Sequence, residues 1–377
     1  FCLFFIPWAS SRPNLGGSVT VEDLRAFGSQ VANIVTLLYL FTFFIIGASA
    51  IAFFRDESPP QRTVRPPAWR GALYGVALVA MIPTIVVTNL NVSRADVFNK
   101  QGTGYERSGN WDAARILYEE ALRLQPNEDR YYLNMGRALM EKARTLTDDP
   151  AQRDAYLQQA RNVLEQAQAS NPLNTDHTRN LANLHRAWAA LLSDPTEKAS
   201  HLAQAHIFYE QAVQLSPNNA ALWNEWATLH MEQEQYDEAR EKLEHSLALD
   251  DRFVTTYLLL GNLEVEMEQY EAAIQAYDRA LEVDSDTLTA LSGKALALSR
   301  LERMEEAIQV NRQALQVAPD DYVTLKNLAL LYRDHGNYDQ ALQSAQAALA
   351  VARPEDRAAM EAFIRQLNEQ ERDDSSG

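Results

Sequence analysis

A single cysteine, Cys2, stands in 377 residues, so no internal disulfide is possible and cysteine usage says nothing about compartment. The signatures of common catalysis are also missing: no phosphate-binding loop, no G-x-S-x-G, no H-E-x-x-H, no C-x-x-C. His201 and His206 are five apart and do not share a helix face as two metal ligands would. His185, His230 and His335 read as packing or surface residues. Acidic pairs such as Glu119 and Glu120 have the spacing of solvated helix faces. The expectation is a protein with no catalytic, metal-binding or cofactor-binding residues and no small-molecule substrate. Basic residues are scarce beyond position 94, where 27 Lys and Arg face 47 Asp and Glu. Such a surface is poorly suited to nucleic acid, whose binding is dominated by phosphate neutralisation.

The first 94 residues differ, with seven Arg against four acids. They contain two uncharged apolar runs, Val31–Phe54 of 24 residues and Gly71–Leu90 of 20. Either is long enough to cross a hydrocarbon core of about 30 Å as a helix. Both exceed the usual length of a buried core helix and lack polar periodicity. We read residues 31–92 as a transmembrane-type helical hairpin, preceded by an N-terminal segment, 1–30. The chain opens on Phe1 within an apolar stretch without a basic leader, which reads as the end of an earlier membrane helix plus a loop.

Between the runs, Arg55, Arg62, Arg65 and Arg70 outnumber Asp56 and Glu57, and Pro59, Pro60, Pro66 and Pro67 keep the segment out of helix. Positive charge of this kind places the loop in the cytoplasm and the rest of the chain on the extracytoplasmic face. Gly71 and Gly75 form a small-xxx-small pair that Ala48 and Ala52 of the first run can face, although glycine is simply frequent in membrane helices as well. Ser93 and Asp96 are spaced as a capping box that starts a new helix directly after the hairpin.

From residue 95 to 354 one pattern recurs seven times, with a period of about 34 residues. In the first unit it reads Phe98, Gly102, Tyr105, Gly109, Trp111, Ala114, Tyr118, Ala121, Pro126. The fifth has Tyr257, Leu260, Gly261, Tyr270, Ala273, Tyr277, Ala280. The seventh has Leu325, Leu328, Ala329, Tyr332, Gly336, Tyr338, Ala341, Ala348. Small residues fit where two helices touch, large ones fill the gap, and proline stops the second helix. The pattern resembles the tetratricopeptide repeat over residues 93–355, about 70% of the chain. The resemblance implies an all-α solenoid of seven helix pairs. Met360, Phe363, Ile364 and Leu367 then read as a capping helix in 356–377. Units two and three are 12 and 11 residues too long, at Glu141–Asp154 and Ala189–Ser200, each with an Asp-Pro step (Asp149-Pro150 and Asp194-Pro195). These insertions lengthen helices or protrude as loops. One shared edge would mark a binding face, while tolerated loop growth is the plainer reading.

In tetratricopeptide folds the first helix of each unit lines the concave groove. That resemblance puts Arg130, Arg137, Arg179, Asn183 and Arg186 at groove positions of units two and three. Arginine forks there suit an acidic peptide, unless they pair with groove acids such as Glu141 and Asp176. A smaller cluster is Arg300, Lys326 and Arg333. Residues 20–140 also look like the C-terminal part of bacterial O-antigen ligase-like membrane proteins that end in such repeats, without a sharp motif or a transferable catalytic residue.

The function expected is a non-catalytic scaffold for a protein partner, or for copies of itself, on the outer side of a bacterial membrane, anchored through 31–54 and 71–90. The alternatives are an extracellular filament subunit, with apolar helices in the core and solenoids outward, and the tail of a glycan-transfer enzyme.

Overall fold

The computed structural model describes residues 21–56 and 90–376. Among the described residues every regular element is a helix, sixteen in all. The chain divides at Phe208/Tyr209 into two compact units.

The first helix, α1 (Val21–Asp56), runs 36 residues and starts ten residues before the apolar run does. Residues 21–30, expected in a loop, are therefore helical. The reason is a stripe of Leu24, Gly28 and Ala32, spaced four apart, which gives this stretch a partner on the first repeat. Leu24 is buried with Ala113 and Ile116. Ala32 is buried with Ala95 and Phe98. Gly28 lies so close to Phe98 that an added Cβ would sit 2.3 Å from its Cε1. Past this docked stretch the helix exposes Leu37, Leu40, Phe41, Phe43, Phe44 and Ile45. Ala48 and Ala52 lie on its helical backbone. The loop, Gly71, Gly75 and the run to residue 89 fall outside the described residues, and with them the expected hairpin packing.

Seven helix pairs follow: α2 (Asn91–Glu106) with α3 (Trp111–Leu124), α4 (Asp129–Thr145) with α5 (Pro150–Ser170), α6 (Thr175–Leu191) with α7 (Pro195–Leu215), and α8 (Ala220–Met231) with α9 (Tyr236–Leu249). Then come α10 (Val254–Glu266) with α11 (Tyr270–Val283), α12 (Leu288–Arg300) with α13 (Met304–Val317), and α14 (Tyr322–Asp334) with α15 (Tyr338–Val351). The last helix is α16 (Pro354–Ser376), which buries Met360 and Leu367 in the core of the second unit. Ser93 does not cap α2. The backbone is already helical at Leu90 (φ −72, ψ −45), so no free turn needs its hydroxyl, and Ser93 Oγ instead lies 3.4 Å from Tyr39 OH of α1.

Within a pair the two helices touch where one residue is small. A Cβ on Gly102 would lie 2.6 Å from Tyr118, and one on Gly261 2.4 Å from Tyr277; the same Tyr277 ring meets Gly293 of the next pair at the same distance. Tyr118 and Tyr277 are fully buried there, each contributing roughly 2 kcal/mol of apolar burial. Five pairs share one turn. A residue two or three positions past the first helix takes a left-handed backbone (Gly109, Glu234, Glu268, Glu302, Gly336), and the next amide reaches back to the helix, as from Gln269 N to Glu264 O at 2.8 Å. A second latch joins repeats: Tyr132 OH, Trp223 Nε1 and Tyr257 OH donate to the carbonyls of Pro126, Pro217 and Asp251, six residues earlier.

The insertions of units two and three are helix, not loop. First helices of 17 residues pair with second helices of 21, in α4/α5 and α6/α7. Both Asp-Pro steps start the second helix. Asp149 and Asp194 accept the amides of Gln152 and Glu197 at 2.9 Å, and the following proline occupies the first helical position. The extra length brings an added layer into the first unit: Leu139, Met140, Leu157, Leu184 and Trp188 form one cluster.

Candidate protein-interaction site

The first helices α2 and α4 run side by side in the first unit, and their facing residues are joined in three rungs. Asp96 Oδ1 accepts from Arg130 Nη2 and from Tyr131 OH, both at 2.7 Å. Asn134 Nδ2 donates to Asn99 Oδ1 at 2.7 Å. Arg137 grips Glu106 with two nitrogens, Nε to Oε1 at 3.1 Å and Nη2 to Oε2 at 2.8 Å. The side chain of Glu106 is only 8% exposed while that of Arg137 is 55% exposed. The buried end of the rung is thus a carboxylate and the solvent end a guanidinium. The hydrogen bonds to Glu106 hold Arg137 charged, raising its pKa, and burial pushes the Tyr118 hydroxyl beside them up.

Further along, Arg179 Nη2 lies 3.2 Å from Asp176 Oδ1 on α6. Asn183 and Arg186, half-buried on the same helix, are each engaged within the chain. Asp129, at the start of α4, accepts from Asn171 Nδ2, Asn174 Nδ2 and His177 Nε2. Burial would raise its pKa, but these donors bring it down. Three of the four groove arginines therefore carry their own counter-ions. Arg179 pairs with Asp176 as the alternative had it, while Glu141 pairs with Arg144. The face is polar and locally neutral, richer in hydrogen-bonding groups than in free positive charge. Of the second cluster, Arg333 pairs with Asp334 and lies over the Phe363 ring. Arg300 and Lys326 are exposed, with no ion pair among the described residues.

Two clusters were not legible in the sequence. His185 and His201, sixteen residues apart on α6 and α7, meet through their Nδ1 atoms at 2.9 Å, with His201 stacked on Trp188 at 4.4 Å. One ring must donate and the other accept, which requires a neutral acceptor. Burial, then the neighbouring His201, pushes His185 down to about 4. In the second unit, Trp223 and Trp226 of α8 wall an open cleft with Lys242 of α9. The sequence signal for it was two tryptophans three apart on a helix.

Three tetratricopeptide-repeat family models match the chain: one over residues 258–322 and 326–371, one over 218–286 and one over 95–128. Similar solved structures include a thermophilic tetratricopeptide protein of Thermus thermophilus, 21% identical with a TM-score of 0.44, covering 54% of this chain and 99% of that one. A tetratricopeptide protein of Parabacteroides merdae is 13% identical, with a TM-score of 0.47 and coverage of 72% and 98%. The Pseudomonas aeruginosa pilF protein is 16% identical, with a TM-score of 0.45 and coverage of 62% and 97%. No curated protein matches.

Proposed function

This chain is a tetratricopeptide-repeat protein, and we propose that it is a non-catalytic scaffold, anchored to a membrane through α1, that presents its first-helix faces to a polypeptide partner. The repeat fold supports protein–protein interaction. The anchoring, the extracytoplasmic side and the groove assignment are our reading. The observation that carries it is the division of labour along α1. Its first half is covered by α2 and α3, while the next turns leave six large apolar side chains between 42% and 70% exposed. By length and composition Glu22–Ile45 is apolar enough to cross a membrane, with a mean hydropathy of 1.6. Because Leu24 and Ala32 are taken up by the repeat, the segment left for lipid begins near Leu37 and runs to Phe54.

The polar rungs Asp96–Arg130, Asn99–Asn134 and Glu106–Arg137 suit an extended partner that offers both donors and acceptors, since a buried unpaired polar group is costly. Charge reversal at Arg137 and Arg186 should weaken that binding. Unchanged affinity for partner or self would discard the groove. For the anchor, the full chain is reconstituted into phosphatidylcholine vesicles and floated. Flotation that resists alkaline extraction, and is lost when Leu40 and Phe44 become Asp, supports α1 as the span. Flotation unaffected by those changes refutes it. A phosphatase fused at the C-terminus and active only outside the cell tests the proposed side. The same exposed residues would serve a filament core, and ordered polymers seen by electron microscopy without detergent would favour that reading.

A further inference from the structure

The second unit holds a cleft of about 460 Å³ between the end of α7, α8 and α9. Trp223 and Trp226 form one wall, their rings 5.8 Å apart and inclined by 27°. The His245 ring closes on Trp223 at 4.0 Å. Over this wall lies the ammonium of Lys242, 4.8 Å from the Trp226 ring and 5.9 Å from that of Trp223, and 2.9 Å from Glu241. The lysine side chain is only 16% exposed. Its charge has been drawn out of open water onto the indole faces, as a cation–π contact requires.

The rim is acidic. Glu210, Glu241 and Glu244 line the cleft against the single ammonium. Two negative charges beyond what Lys242 neutralises surround aromatic faces that already hold one cation. We propose that this cleft binds an arginine side chain of a partner polypeptide, with Lys242 as the internal occupant that it displaces. Arginine fits better than a second lysine. Its planar guanidinium stacks on an indole while its edge nitrogens reach two carboxylates at once. The surface is separate from the paired arginines of the first unit and does not depend on α1, so it stands or falls without the anchored-scaffold reading.

The competing occupant supplies a test that an incidental surface contact would not pass. The full chain in detergent is titrated with acetyl-Gly-Arg-Gly-amide and with acetyl-Gly-Leu-Gly-amide, following the indole N–H resonances of Trp223 and Trp226. The arginine peptide should shift both and the leucine peptide neither. Lys242→Ala should tighten arginine binding about threefold or more by removing the competitor. Changing Glu210, Glu241 and Glu244 together to Gln should weaken it at least as much. All four positions are at or near the surface, and unchanged helix content by circular dichroism confirms folding. Equal shifts from the leucine peptide, or a Lys242→Ala protein that binds arginine no better than the parent, would overturn the proposal.

Discussion

Replacing Glu234, Glu268 and Glu302 by glycine should stabilise the second unit, although it deletes three side chains. All three adopt φ of 58, the left-handed region, at the turn inside their repeats. The equivalent residues of the first and seventh repeats are glycines, Gly109 and Gly336, with φ of 72 and 79. The turn therefore demands this backbone whatever the side chain. For an L-residue it costs about 1–2 kcal/mol. Glycine escapes that cost but loses more entropy on folding, leaving a net gain of about 0.5–1 kcal/mol per site. The sites are 34 residues apart in sequence and exposed, so the gains should add to about 1.5–3 kcal/mol. That corresponds to roughly 4–10 °C in melting temperature for a unit of this size. Deleting a negative charge at a helix C-terminus also helps, by about 0.3 kcal/mol each. Alanine at the same positions isolates that effect, because it removes the charge and keeps the strain. Guanidinium unfolding followed by circular dichroism reads all three proteins. An alanine triple as stable as the glycine triple, or a glycine triple no better than the parent, would refute the argument.

Gly261→Ala should cost about 1–3 kcal/mol, since its Cβ falls 2.4 Å from Tyr277 in a packed interface; Gly104→Ala, with nothing within 4 Å, is the tolerated control in the same melts. Gly28→Leu drives a side chain into Phe98 and should release α1 from the first repeat, visible as faster amide exchange over Leu24–Tyr39 with the other repeats unchanged. Arg137→Met strands the buried Glu106 carboxylate and should cost about 1–2 kcal/mol, less than a fully buried pair because Arg137 is half in water; adding Glu106→Gln should recover most of it in urea titrations. The His185 imidazole sits near 4 in the fold against its ordinary 6.5. The unfolded chain therefore takes the proton first, and stability that is full above 6.5 declines as the pH falls towards 4. The loss is at most about 3 kcal/mol, and His185→Gln should flatten melting temperature against pH in that window.

The repeats were legible because each depends on residues that sterics leave little choice about. A small residue recurs at a fixed offset from a large one, as Gly102 does from Tyr118 and Gly261 from Tyr277, since the two helices touch there and leave no room for a second large side chain. In the sequence the Asp-Pro steps read only as marks of the insertions; the structure shows them to be caps with proline in the first turn, and helix length could not be told from loop length by composition. The arginine partners were not legible. Arg130 and Arg137 find their acids 34 and 31 residues earlier, on the preceding first helix. That pairing follows from helix-to-helix register, not from spacing along one helix. The capping box at Ser93 misled for the opposite reason: local spacing suggested a start where the backbone is already helical.

The hydropathy of α1 was the least decisive signal, because apolar surface is hidden equally well by lipid or by protein. What separates the two covers is side-chain size. The docked stretch presents Leu24, Gly28 and Ala32 to the repeat, and two of these are small enough for Phe98 to approach the helix backbone. The exposed stretch presents Leu37, Leu40, Phe41, Phe43 and Phe44, residues that would hold a protein helix away but bury well in hydrocarbon or in a loosely fitted assembly. Leu37 to Phe54 spans about 27 Å at a helical rise of about 1.5 Å per residue, close to a hydrocarbon core of about 30 Å. Two further contacts brace the docked half, Arg25 to the buried Glu120 at 2.8 Å and Tyr39 to Ser93 at 3.4 Å. The first lies before the point near Leu37 where the backbone would enter lipid, and the second within two residues of it. On the anchored reading, a continuous helix fixed in this way holds the first repeat within a few turns of the membrane surface. A partner would then be met at that distance, not at the reach of a tether.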